Sequence, residues 1–176
     1  MLVMRDDDRM RTASPLPIEA LTPDALRKGD AQDITLVFLR HRGCLFTREW
    51  MQEIRVAAGG GETATIDTRV VLVHQGSDDE FDQTLRPLWP EAAAVSDPDA
   101  SLYAAWSVER GGFRAMFGLR SWLAGIPAFL RGNRIGWKGK ADGWTLPTIV
   151  RLRAGEVVWM HRGTHAGDHP DLGGLT

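Results

Sequence analysis

Cys44 is the residue of this sequence best suited to covalent chemistry. It is the only cysteine among the 176 residues, and it follows an apolar run and the short turn 40–43, Arg-His-Arg-Gly. Thiolate is the reactive form of cysteine, and the first N–H groups of a helix and nearby arginines stabilise it. The sequence therefore predicts a nucleophilic thiolate at Cys44. The competing interpretation is a small, buried and unreactive apolar residue.

Polar residues close to Cys44 supply candidate catalytic partners. Arg40 and Arg42 are the cations predicted to stabilise the thiolate. Thr47, one helical turn further on, either donates its hydroxyl to the sulfur or bonds to its own backbone. His41 is either a proton donor to the leaving group or a solvated turn residue.

A strand, a helix and a second strand are predicted to position this cysteine. Residues 34–39, Ile-Thr-Leu-Val-Phe-Leu, form an apolar run that fits a strand covered on both faces. Apolar residues then recur every four positions from Phe46 to Ile54, which is typical of an amphipathic helix. Residues 70–74 are a second buried strand, so the three elements form a βαβ unit with parallel strands. The predicted fold class is α/β.

The rest of the chain continues this alternation. A proline and an acid at positions 23 and 24 predict a short helix, and Ser77 and Glu80 form a capping box for another. A short strand and a fourth helix are predicted to follow, at 92–95 and after the cap Asp97-Pro98-Asp99. Two β-rich runs then flank a three-residue turn, which predicts an antiparallel C-terminal hairpin; they span 148–152 and 156–160.

Four stretches together resemble the thioredoxin-like superfamily and, within it, the peroxiredoxin-like group related to alkyl hydroperoxide reductase and thiol-specific antioxidant proteins. They are 37–49 around Cys44, 94–98, Leu146-Pro147-Thr148 and the tail 165–172. The resemblance covers about residues 30–172. It implies a thioredoxin-like fold with a central mixed sheet, flanking helices and the C-terminal hairpin. It also implies that Cys44 is the attacking thiolate and that Pro147 is a cis-proline lying against it.

The sequence departs from this family at three positions. Thr47 stands where thioredoxin-type enzymes have their second cysteine, so no intramolecular disulfide can form. Val37 and His41 stand where typical peroxiredoxins have a proline and a threonine or serine. These residues predict a one-cysteine cycle in which Cys44 attacks a peroxide or a disulfide and an external thiol resolves the product. The alternative is a catalytically inactive thioredoxin-fold binding or regulatory module.

A basic, tryptophan-rich segment at about 111–143 is predicted as an insertion in the domain. It carries six basic residues against a single acid, Asp142. Its simplest interpretation is an extra helix packed on the sheet. The alternatives are a lid, a homodimer face, or a site for an apolar or anionic ligand that includes Arg120 and Arg131.

Composition limits the remaining function classes. The net charge of −2 argues against general binding to nucleic acid or anionic membranes. The acidic start argues against a secretory signal, and no apolar run approaches the length of a membrane span. We therefore expect a cytoplasmic protein with a flexible lead-in at 1–20 and one domain at 21–176.

No metal or other cofactor is expected. His161, His165 and His169 recur every fourth residue, but the intervening glycines and Pro170 disfavour a continuous ligand-bearing helix. His165 and His169 are instead predicted to have capping or turn roles. The glycines at 59–61 follow a helix, so they lack the geometry of a phosphate-binding loop.

Overall fold

Five strands form one mixed sheet in the computed structural model, which describes residues 18–28, 33–58, 68–112, 142–170 and 172. The strands lie in the order β3-β2-β1-β4-β5. The predicted α/β class with a central mixed sheet is confirmed. In chain order the strands are β1 (Ile34–Phe38), β2 (Arg69–His74), β3 (Ala93–Ser96), β4 (Thr148–Arg153) and β5 (Glu156–Arg162).

The sheet changes from parallel to antiparallel at β1. This strand pairs in parallel with β2, with Leu36 opposite Val71, and antiparallel with β4, with Leu36 opposite Val150. β2 pairs in parallel with β3, and β4 pairs antiparallel with β5. The turn between β4 and β5 places Ala154 at φ 49° and Gly155 at φ 79°. With two strands on each side, β1 is the central strand of the sheet.

Four α-helices within the described residues connect or flank the strands. The predicted capping box of the third helix is confirmed: the Ser77 hydroxyl accepts from Glu80 N and the Glu80 carboxylate accepts from Ser77 N, each at 3.3 Å. A 3-10 helix, Ile18–Leu21, overlaps the end of the predicted lead-in, and residues 1–17 lie outside the described part. The α-helices are α1 (Pro23–Lys28), α2 (Leu45–Ala58), α3 (Asp78–Thr84) and α4 (Ser101–Ala105), and a second 3-10 helix is Arg86–Leu88.

Both faces of β1 are buried, which explains why four of its five residues are apolar and the fifth is Thr35. Val37 and Leu39 belong to a core that includes Trp50 of α2. Leu36 and its neighbours on the other face belong to a second core that includes Trp106. A two-sided core of this kind needs apolar residues at successive positions of the strand. The prediction of a strand covered on both faces is confirmed.

The cap of α4 comes from Asp97, which is fully buried. Its carboxylate accepts hydrogen bonds from Ser101 N at 2.9 Å, Leu102 N at 2.9 Å and Tyr103 N at 3.2 Å. Residue Ala100 lies between the cap and the helix in the left-handed region, at φ 56°. One side chain thus satisfies three N–H groups that the helix itself leaves without partners.

None of the helices in the described ranges is long and apolar enough to cross a membrane. The predicted insertion at 111–143 falls, apart from two residues at each end, outside the described residues. The described residues at the two ends of this segment lie close together, because Gly111 N donates to Trp144 O at 2.7 Å. The alternatives for that segment, including the homodimer face and Arg120 and Arg131, remain predictions.

Candidate active site

Cys44 lies at the carboxyl end of β1, immediately before α2. Its N–H donates to His41 O at 3.0 Å, which closes the turn that follows the strand. Its carbonyl accepts from Arg48 N at 3.4 Å, so Cys44 takes the position just before the first helical residue, Leu45. The residue is only 6% exposed. The sequence predicts Cys44 in the first turn of this helix; the structure places it after the strand and the turn, one residue before the helix begins at Leu45.

The guanidinium of Arg40 contacts the sulfur directly. Arg40 Nη1 lies 2.7 Å from Cys44 Sγ. The other two nitrogens are held by main-chain carbonyls that precede β4: Nε donates to Thr145 O at 2.7 Å and Nη2 to Gly143 O at 2.9 Å. Because Arg40 is itself 6% exposed, this contact is shielded from water. A guanidinium fixed at three points can stabilise a thiolate without reorganising.

The loop that holds Arg40 is tied to the end of β2 by a buried glutamine. Gln75 Nε2 donates to Thr145 Oγ1 at 3.1 Å, and Gln75 Oε1 accepts from Asp142 N at 2.6 Å. Neither Gln75 nor Thr145 is among the site residues predicted from the sequence. A polar residue directly after a buried parallel strand was the available signal for Gln75, since such strand ends meet at one edge of the sheet. Thr145 acts through its carbonyl, and no sequence pattern indicates that.

Pro147 lies two residues after the Thr145 carbonyl, but the implied cis bond is absent. No peptide bond in the described residues is cis, so the bond from Leu146 to Pro147 is trans. Trans is the more stable form even before proline. Here the Pro147 carbonyl accepts from Gly163 N at 2.8 Å, and a Cβ at Gly163 would lie 2.7 Å from the proline ring. Pro147 is thus packed closely against Gly163.

The other predicted partners differ in position. Arg42 pairs with Glu80 at 3.2 Å, so of the two arginines in this turn Arg40 makes the contact with the sulfur. The arginines of 111–143, which are also candidates for this contact, lie outside the described residues. Thr47 is buried, and its hydroxyl makes neither the predicted bond to Sγ nor any other hydrogen bond within the described residues. His41 is half-buried, and its carbonyl accepts from Cys44 N. A proton-donating role for His41 stays a prediction.

Tyr103 supports the two strand ends beneath the site. Its hydroxyl bonds to the carbonyls of Leu39 and Val73, the latter at 2.9 Å. Burial, and to a lesser extent the charge of Asp97, raises the pKa of Tyr103 well above its ordinary value of 10.0. The hydroxyl therefore remains a donor at physiological pH, and it keeps β1 and β2 together where Arg40 leaves the sheet.

No family model, no curated protein and no solved structure matches this chain.

Two of the three C-terminal histidines, His161 and His169, make separate side-chain contacts. His169 stacks on Trp50 with ring centroids 5.5 Å apart, and its Nδ1 lies 3.1 Å from Glu53 Oε2. His161 Nε2 lies 3.6 Å from Asp168 Oδ1. His169 thus holds the C-terminal segment against α2. In the described ranges no three His, Cys, Asp or Glu side chains are grouped as metal ligands.

The carboxylate of Asp168 closes the turn that contains His165. It accepts from Thr164 N at 2.7 Å and from Thr164 Oγ1 at 2.6 Å. Partial burial alone would raise the pKa of Asp168, but these two bonds and the nearby His161 and His165 lower it below 3.8. The carboxylate is therefore charged over the physiological range and keeps this turn closed. A turn position for His165, as predicted, is consistent with this arrangement.

A small depression has Arg40 among its lining residues. It is lined by residues from the ends of β1 and β2 and from α3; they are Arg40, Arg42, His74, Gly76, Glu80, Phe81 and Leu85. His74 is 3% exposed and stacks on the Phe81 ring with centroids 4.5 Å apart. Burial lowers the pKa of His74 below 6.5, and the Asp78 carboxylate, 4.0 Å from Nε2, partly opposes that effect. His74 is therefore neutral near pH 7.

This burial predicts a loss of stability on acidification. The unfolded chain protonates His74 near 6.5, whereas the folded chain does so only at lower pH. The contribution of neutral His74 to the free energy of unfolding is therefore fully present above pH 6.5. It falls as the pH decreases from there toward the folded pKa, by at most about 1.4 kcal/mol per pH unit. Urea unfolding at a series of pH values measures it.

Two variants control for other titrating groups. His74→Phe retains the stacked ring and removes the titration, so its stability curve should be flatter than that of the wild type below pH 6.5. Asp78→Asn removes the opposing carboxylate and should steepen the loss. Parallel curves for the wild type and His74→Phe would contradict the prediction.

Proposed function

We propose that this protein is a peroxiredoxin-like thiol oxidoreductase in which Cys44 is the redox nucleophile. The observation that carries the proposal is the 2.7 Å contact between Arg40 Nη1 and Cys44 Sγ. A thiolate accepts such a charge-assisted hydrogen bond much better than a thiol does, so the contact favours the reactive form.

The thioredoxin-like fold is part of this proposal. The strand order β3-β2-β1-β4-β5, with parallel pairing on one side of β1 and antiparallel pairing on the other, supports it. The antiparallel β4–β5 pair supports the predicted C-terminal hairpin. The cysteine lies at the carboxyl end of a central strand and before a helix, which is the position that the sequence resemblance implies for the attacking thiolate.

A single cysteine permits a cycle of peroxide reduction followed by exchange with external thiols. The Cys44 thiolate attacks one oxygen of a peroxide, the O–O bond breaks, and the leaving alkoxide or hydroxide takes a proton. The sulfur is oxidised to sulfenic acid while the peroxide is reduced. An external thiol then forms a mixed disulfide and releases water, and a second thiol frees Cys44 by exchange. With a disulfide as substrate, the Cys44 thiolate attacks one of the two sulfurs, the other leaves as a thiolate, and the mixed disulfide forms directly.

We expect small oxidants to reach the site from the depression beside Arg40. The sulfur itself is nearly covered, and Arg40 is the residue that both lines the depression and contacts Sγ. The single cysteine also fits a reducing compartment, and we propose the cytoplasm as its location. The partners are an external thiol reductant and a peroxide or disulfide.

The burial of Cys44 favours one alternative function. At 6% exposure, the thiol is less accessible than catalysis by direct attack requires unless the surroundings open. A thioredoxin-fold binding or regulatory module would keep such a buried cysteine for packing alone. In that case the thiol reacts slowly with alkylating agents, and the binding function survives the Cys44→Ser substitution.

Alkylation of Cys44 distinguishes the enzyme from the binding module. Near neutral pH we expect the native protein to react with iodoacetamide about tenfold faster than the same chain unfolded in urea, because the contact with Arg40 raises the thiolate fraction. Brief exposure to hydrogen peroxide should add one oxygen to Cys44, detected by mass spectrometry and by a probe specific for sulfenic acid.

Cys44→Ser is the blank for both measurements. A native rate at or below that of the unfolded chain, together with no sulfenic acid, would refute the oxidoreductase and leave the binding module.

A further inference from the structure

Gln75 connects the end of β2 to the loop that holds Arg40. It is 9% exposed, and both ends of its amide are used: Nε2 donates to Thr145 Oγ1 and Oε1 accepts from Asp142 N. The two contacts lie on either side of Gly143, whose carbonyl accepts from Arg40. A single side chain therefore fixes both ends of the four-residue loop 142–145.

The loop carries the two carbonyls that orient the guanidinium. Thr145 O and Gly143 O accept from Arg40 Nε and Nη2, which leaves Nη1 directed at Cys44 Sγ. A carbonyl position is set by its backbone, and the backbone of this loop is set in part by Gln75. The chain of contacts from Gln75 to the sulfur thus passes through Thr145 and Arg40 without a gap.

The loop has other attachments, to residues 109–111. Two are main-chain bonds, from Gly111 N to Trp144 O at 2.7 Å and from Leu146 N to Glu109 O at 3.0 Å, and one is an ion pair. Arg110 Nε lies 2.6 Å from Asp142 Oδ2, but the Arg110 side chain is 70% exposed. Exposed ion pairs are screened by water and contribute little to a fixed geometry. Buried hydrogen bonds are costly to break because the groups left behind lose both protein and water partners. Among the side chains that hold the loop, Gln75 is therefore the one whose bonds, one buried and one part-buried, contribute most to its position.

We propose that Gln75 is a positioning residue for the Cys44 thiolate, acting through the 142–145 loop and Arg40. This inference rests on the proposed function, since it concerns the same sulfur. Gln75 does not touch the reacting atom. Its effect is to keep the guanidinium at hydrogen-bonding distance from Sγ, so that loss of Gln75 lowers the proportion of thiolate even when the fold is retained.

The test is a double-mutant cycle read by the ultraviolet absorbance of the thiolate. Gln75→Met has nearly the shape of glutamine without its hydrogen bonds, and Arg40→Met removes the cation. The ratio of thiolate to thiol is measured near neutral pH in the wild type, both single variants and the double variant, with Cys44→Ser as the blank. Circular dichroism identifies any variant that has lost its structure, so that the thiolate ratio is compared only among folded variants.

We expect Gln75→Met to lower the thiolate ratio about threefold, the effect of one net hydrogen bond, and to have no further effect when Arg40 is already methionine. An equal effect in both backgrounds, or no effect in the folded single variant, would overturn the inference while the proposed function stands. If Arg40→Met itself leaves the ratio unchanged, the proposed function fails and the inference fails with it.

A second variant covers the case in which Gln75→Met does not fold. Thr145→Val retains the main-chain carbonyl that binds Arg40 and removes only the hydroxyl that binds Gln75. It should lower the thiolate ratio in the same direction as Gln75→Met, and again only when Arg40 is present. A folded Thr145→Val protein with the wild-type ratio would count against the inference.

Discussion

Replacing Arg40 with methionine is expected to reduce the alkylation rate of Cys44 near neutral pH by about tenfold or more. A hydrogen bond to a charged group is worth about 1.5–3 kcal/mol, and about 1.4 kcal/mol corresponds to a factor of ten. The bond lost here is the 2.7 Å contact from Nη1 to the sulfur. Because a shorter side chain also uncovers Sγ, the thiolate absorbance is measured with the rate.

Arg42→Met is the matched control for the loss of a positive charge. Arg42 lies in the same turn, two residues further on, but its guanidinium pairs with Glu80 at 3.2 Å. We expect its effect on the alkylation rate to be within about twofold, since charges near the surface are screened. Arg40→Lys retains the charge without the planar fork and should give an intermediate rate. Equal losses in Arg40→Met and Arg42→Met would show that general charge, not the contact, controls the thiol.

The second large effect is on stability, at Asp97. We expect Asp97→Ala to lower the free energy of unfolding by about 3 kcal/mol or more, because the carboxylate is fully buried and satisfies three consecutive N–H groups. Alanine would leave those groups without partners in the core beside Tyr103. Urea unfolding followed by tryptophan fluorescence measures the loss.

Asp99→Ala is the control for Asp97→Ala. Asp99 lies in the same turn and is exposed, so its substitution should change the free energy of unfolding by no more than about 0.5 kcal/mol. If the two alanine variants were equally stable, the hydrogen bonds to Asp97 would not contribute as the geometry indicates.

Local patterns in the sequence were sufficient for most of the secondary structure. The apolar run at 34–39 predicted a central strand because both faces of such a strand must avoid water. The Ser77 and Glu80 capping box predicted the start of α3 because its two hydrogen bonds join residues three apart in the chain. Cys44 was predicted within one residue of its position at the helix start for the same reason: a strand, a turn and a helix in succession are specified by neighbouring residues.

The partners of Arg40 could not be predicted in this way. Thr145 O and Gly143 O lie 105 and 103 residues further along the chain, and every residue carries a carbonyl, so nothing in the residue types identifies these two. Gln75 also acquires its role only when the 142–145 loop packs against the end of β2. Arg40 and Arg42 flank His41, and the sequence does not distinguish which of them contacts the sulfur. In the folded chain Arg40 contacts the sulfur and Arg42 contacts Glu80.

The sequence by itself thus determined the α/β class, the central strand and the position of the one cysteine at a helix start, since these follow from periodicity and capping within short segments. The tertiary structure decided which cation meets the sulfur, which loop holds that cation and that the bond before Pro147 is trans. Those features depend on contacts between distant segments, whose geometry is set by the packing of the whole sheet.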